Sequence, residues 1–70
     1  MRYLYVIEKA ADGTFSAYVS DLPGCTTSGD TVDEVKQNIK DAVESYVDSL
    51  REHDEPVPPP TSTADVVEAA

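Results

Sequence analysis

The stretch Ser20-Asp21-Leu22-Pro23-Gly24-Cys25-Thr26-Thr27-Ser28-Gly29-Asp30-Thr31 restricts the fold of this chain more than any other. Proline presets φ and glycine accepts a positive φ, so Pro23-Gly24 suits the two central positions of a type II turn. Cys25 to Ser28 is short and tolerant of extended backbone, and reads as a strand that returns along its predecessor and ends at Gly29. Thr31-Val32-Asp33-Glu34 then matches a capping box. In that arrangement the Thr31 hydroxyl accepts from the Glu34 amide while the Glu34 carboxylate reaches back to Thr31. One reversal and one helix start are therefore written into consecutive residues.

Upstream, Tyr3 to Ala10 is rich in β-branched and aromatic residues, which favours a strand. Tyr3, Tyr5 and Ile7 share one face and Leu4 and Val6 the other, so this strand calls for cover on both sides. Asp12-Gly13 marks a tight hairpin. Residues 14 to 20 then alternate, with Phe15, Ala17 and Val19 against Thr14, Ser16, Tyr18 and Ser20, the pattern of a half-buried antiparallel strand.

Downstream, the spacing predicts a helix from Val32. Val32, Val35, Ile39, Ala42, Val43, Tyr46, Val47 and Leu50 form one apolar stripe, opposite Lys36, Lys40, Asp41, Glu44, Asp48 and Arg51. Pro56 forces the helix to fray near Glu52-His53-Asp54. Glu55-Pro56-Val57-Pro58 reads as a short edge strand, where a missing amide is tolerated. Residues 59 to 70 read as a flexible Pro/Thr/Ser-rich tail. The expected fold is thus α+β, with the order β-β-β-α-β and one helix on one face of an antiparallel sheet.

A chain of 70 residues buries only about 60% of the surface its unfolded form exposes, so a subunit interface would add needed burial. A homo-oligomer is expected, with Tyr3, Tyr5 and Ile7 as its surface and Tyr5→Glu as the substitution that disrupts it. One cysteine allows no intrachain disulfide and suits a reducing compartment. No apolar run approaches the roughly 18 residues of a membrane span, and a cytoplasmic location is expected. The net charge of -9 disfavours direct binding to phosphate backbones and suits either solubility or a basic partner.

Chemistry-bearing residues are sparse. His53 is the one histidine and sits at a helix end, where a cation complements the dipole. Cys25 has no second cysteine to activate it and reads as a small apolar filler. Asp21, Asp30 and Glu8 are the carboxylates a metal-dependent nuclease would use if they converged at one sheet end. Their plainer reading is local, with Asp21 satisfying turn amides and Asp30 preceding a helix. No catalytic residue, metal site or cofactor is expected.

Phe15 to Cys25, followed by Gly29-Asp30-Thr31 and Asp33-Glu34, resembles the HicB antitoxin family. The resemblance extends from about residue 3 to residue 58, through an aromatic first strand and Pro56-Val57-Pro58. It implies a reduced ribonuclease H-like fold without nuclease activity, and a domain over residues 1 to 58. It also implies binding of HicA, a small basic mRNA-cleaving toxin, through occlusion of its active and RNA-binding surfaces. Asp21, Leu22, Pro23, Gly24 and Cys25 match the family's motif and are candidate toxin contacts. Gly29, Asp30, Thr31 and Glu34 form its structural part. The chain resembles the short, single-domain form, for which no operator binding is expected. An orphan regulatory or scaffolding domain is the alternative function.

Overall fold

A computed structural model describes residues 1–70. Three strands, β1 (Tyr5–Lys9), β2 (Phe15–Val19) and β3 (Thr26–Gly29), form an antiparallel sheet in the order β1-β2-β3, followed by one helix, α1 (Val32–Glu52). This is an α+β fold.

The β1–β2 hairpin closes as its Asp-Gly pair predicts. Gly13 has φ +89°, its amide donates to the Ala10 carbonyl at 3.0 Å, and the Ala10 amide donates to Thr14 at 2.8 Å. Asp12 accepts from both the amide and the hydroxyl of Thr14, at 3.0 and 2.7 Å. These bonds hold the Asp12 carboxyl below its ordinary pKa. Between β2 and β3, the Cys25 amide donates to the Leu22 carbonyl at 3.0 Å and Gly24 has φ +80°. Pro23-Gly24 therefore occupies the centre of a type II turn.

Directly opposed residues share a sheet face. The register places Tyr5 opposite Val19, Ile7 opposite Ala17 and Ala17 opposite Thr27, so this set faces α1. Val6, Glu8, Ser16, Tyr18, Thr26 and Ser28 form the open face. The core consists of Ala17, Val19, Leu22, Cys25, Val35, Ile39 and Val47, with Tyr3, Ile7, Phe15, Ala42, Val43, Tyr46 and Val57 packed around it. Of the helical stripe, Val32 in the first turn stays exposed and Leu50 in the last turn is half-buried outside the core cluster.

At its start, α1 is capped by the Thr31 hydroxyl, which accepts from the Glu34 amide at 3.1 Å. The return bond differs from the expected one, since Glu34 Oε1 accepts from the Asp30 amide at 3.3 Å rather than from Thr31. At its end, Asp54 takes φ +53°, its amide donates to Arg51, and the Glu55 amide donates to Leu50 at 2.8 Å. This pair of bonds is a Schellman ending, which ordinarily favours glycine at the left-handed position.

The expected fourth strand over residues 55–58 is absent as a paired element. Pro56 and Pro58 have no amide to donate, so Val57 packs against the core without joining the sheet. The Tyr3 hydroxyl donates to the Pro58 carbonyl and fixes this segment beside the first strand.

Two substitutions check the backbone account. A Cβ on Gly29 would lie 3.0 Å from both Val35 Cγ2 and Glu34 Oε1, so Gly29→Ala should cost about 1–3 kcal/mol in urea unfolding. Asp54→Gly should instead raise stability by about 0.5–1 kcal/mol, since it relieves a left-handed side chain.

Candidate functional site: the motif turn and the acidic helix ridge

Within the Asp21 to Cys25 turn, the apolar residues serve the fold. Leu22 is 0% exposed and Cys25 4%, both inside the core cluster. Burial pushes the Cys25 thiol above its ordinary pKa, which suppresses the thiolate. Pro23 and Gly24 are exposed, and the Tyr46 hydroxyl donates to the Pro23 carbonyl at 2.8 Å, tying the turn to α1. Pro23, Gly24 and the Asp21 carboxylate are thus the parts of the turn that reach the surface.

Asp21 is engaged from far along the chain. Its carboxylate accepts from the Thr61 amide and hydroxyl at 2.9 and 3.1 Å, and from the Ser62 amide and hydroxyl at 3.0 and 2.8 Å. Hydrogen bonds from Ser62 and then Thr61 hold its pKa below the ordinary carboxylate value. From the sequence alone, Asp21 is expected to serve its own turn. The true partners lie 40 and 41 residues away, beyond any short-range signal.

The three carboxylates of the nuclease reading are separated by topology. Asp21 follows the end of β2 and Asp30 follows the end of β3, which pairs with the start of β2. They therefore lie at opposite ends of the sheet, and Glu8 stands on the open face near the Asp30 end. His53 caps the helix C-terminus, with Nδ1 2.7 Å from the Ser49 carbonyl. No helix is long and apolar enough to cross a membrane.

Tyr3, Tyr5 and Ile7 are on the helix-facing side of the sheet. Tyr3 and Ile7 pack against the core, and Tyr5 remains 39% exposed at its margin. The face α1 leaves bare is the one carrying Val6 and Tyr18.

No charged side chain is buried, so the net charge of -9 lies at the surface. Asp41, Glu44, Asp48 and Glu52 recur at spacings of three and four, and all are exposed. Helical geometry places them on the side turned away from Val35, Ile39 and Val47, as a ridge about 17 Å long. Lys36 and Lys40 flank this ridge on the side towards β1. Asp41, Glu44 and Asp48 are on the face opposite the apolar stripe in the sequence, and the packing of α1 adds Glu52 and shows that the ridge is free of the sheet.

The low pKa of Asp21 sets a direction with pH. A depressed carboxylate contributes fully above its unfolded pKa, and its contribution is lost as pH falls through the folded value. The protection of the Thr61 and Ser62 amides, relative to their intrinsic exchange rates, should therefore fall on acidification below the ordinary aspartate range. Asp21→Ala should abolish it at neutral pH as well, with the exchange of α1 unchanged.

Known proteins agree with the motif. A family model described as HicB_like antitoxin of bacterial toxin-antitoxin system matches residues 3–70. A UPF0150 protein of Thermoplasma acidophilum is 43% identical over 83% of this chain and 84% of its own length. A UPF0150 protein of Synechocystis is 43% identical over 80% of this chain and 71% of its own length. An uncharacterized 14.9 kDa protein of Haemophilus phage HP1 is 40% identical over 83% of this chain and 43% of its own length. The chain belongs to the HicB-like antitoxin family of bacterial toxin-antitoxin systems.

Proposed function

We propose that this protein is an antitoxin that binds a small basic toxin of the HicA type and blocks its access to mRNA. The observation that carries the reading is the acidic ridge of α1, four exposed carboxylates bordered by Lys36, Lys40 and Arg51 and presented by a rigid helix whose opposite face is locked in the core. A ridge of this kind attracts a cationic RNA-binding surface and competes with RNA phosphates for the same lysines and arginines. Occlusion needs no catalytic group of the antitoxin's own, so the protein is not an enzyme on this reading. It acts in the cytoplasm, where the toxin meets mRNA.

Each part of the chain takes a role. The sheet and α1 form the centre of a reduced ribonuclease H-like scaffold, and Pro23 and Gly24 offer a second, separate exposed contact where the turn meets Tyr46. Leu22 and Cys25 hold that turn in place from below.

The test uses a basic protein encoded in an adjacent reading frame. The wild-type chain should co-purify with it and rescue the growth arrest it causes. The triple variant Asp41→Lys, Glu44→Lys, Asp48→Lys should fold but bind at least about tenfold more weakly, as expected when several charge contacts reverse sign. Full rescue by the triple variant, or no binding by the wild type to an active toxin, would sink the proposal.

A further inference from the structure

The motif turn has one internal freedom left. Leu22 and Cys25, its first and last residues, are buried in the core, and the Cys25 amide donates to the Leu22 carbonyl at 3.0 Å. The pyrrolidine ring fixes φ of Pro23. Type I and type II turns share these end points and differ in ψ of the first central residue and φ of the second, which together turn the middle peptide over. Here that peptide joins Pro23 to Gly24, and glycine accepts either sign of φ. Local chemistry alone therefore leaves both turn types within reach.

Tyr46 selects between them. Its ring packs against the core from α1, and its hydroxyl donates to the Pro23 carbonyl at 2.8 Å, the oxygen that swings when the peptide turns over. Gly24 at φ +80° is in the matching type II state. In a trans peptide the C=O and N–H point in opposite directions, so a carbonyl held towards Tyr46 aims the Gly24 N–H away from it. Gly24 is exposed, and its amide donates to no carbonyl of the chain. An oriented, unused donor thus stands at the surface of the turn.

We propose that Tyr46 is a positioning residue for recognition: it locks the Pro23–Gly24 peptide so that the Gly24 N–H meets a backbone carbonyl of the basic toxin. This role rests on the toxin-binding reading above and adds the donor, its acceptor and the residue that aims it. The acceptor is neutral because a chain of net charge -9 repels carboxylates and phosphates, and the backbone carbonyl is the neutral acceptor that every protein surface offers.

Two variants move the peptide by different routes. Tyr46→Phe removes the hydroxyl and keeps the ring. Gly24→Ala keeps the N–H, and its new Cβ meets nothing within 4 Å, so it acts through the strain of a positive φ alone. Each should leave the circular dichroism spectrum unchanged. Each should also weaken the nuclear Overhauser effect between Pro23 Hα and the amide proton of residue 24, which is strong at the type II ψ of about +120° and weak at the type I ψ of about −30°. Toxin binding should weaken about two- to fivefold in Tyr46→Phe and about tenfold in Gly24→Ala, as the competent turn is depopulated. The double variant should bind no more weakly than Gly24→Ala, because the hydroxyl has no partner once the peptide has turned over.

Additive losses in the double variant would overturn the inference. So would unchanged toxin binding in Tyr46→Phe, or an unchanged Overhauser effect in the free variants. These results would spare the toxin reading, whereas a wild-type chain that fails to bind an active toxin would overturn both.

Discussion

The burial of Leu22 beneath α1 is the contact on which the remaining structure depends. It is fully enclosed, and it lies between a sheet of three short strands and a single helix that share only seven buried residues. A core this small has little redundancy. Loss of one fully buried leucine commonly costs about 2–5 kcal/mol, against a total stability of about 5–15 kcal/mol for a domain. The type II turn at Pro23-Gly24 exists to bring Leu22 and Cys25 inward from both sides of a chain reversal. Tyr46 closes the arrangement from the helix, through its bond to the Pro23 carbonyl.

That anchoring separates two roles that share one motif. The apolar half of Asp21 to Cys25 is consumed by the core, while Asp21 faces outward and holds Thr61 and Ser62. A motif that identifies the family is here chiefly a device for joining sheet, helix and the segment after the helix. On the proposed reading, recognition falls to the surface this device keeps rigid. The inner side of α1 is committed to Val35, Ile39 and Val47, which leaves Asp41, Glu44, Asp48 and Glu52 to the solvent.

Much of this was legible in the residues. Pro23-Gly24, Asp12-Gly13 and the Thr31 to Glu34 cap act through local backbone preference, and each falls where its chemistry requires. The helix stripe was legible because its period matches one packed face. Three features were not. Pro56-Val57-Pro58 fits an edge strand and an unpaired extended segment equally well, and the missing amides decide for the second. The sidedness of Tyr5 and Ile7 depends on which face α1 covers, which the alternation of one strand cannot tell. The Asp21 contacts with Thr61 and Ser62 join segments with no sequence pattern in common.

The central claim is that a predominantly acidic surface, held rigid by the Leu22 anchor, draws in a basic toxin. The most direct test is the ionic-strength dependence of the association rate between this protein and that toxin. Steered association should slow by about tenfold or more between low and high salt, as the Debye length shrinks from about 30 Å to about 3 Å, with dissociation changing far less. An association rate that stays flat over that range would contradict the account.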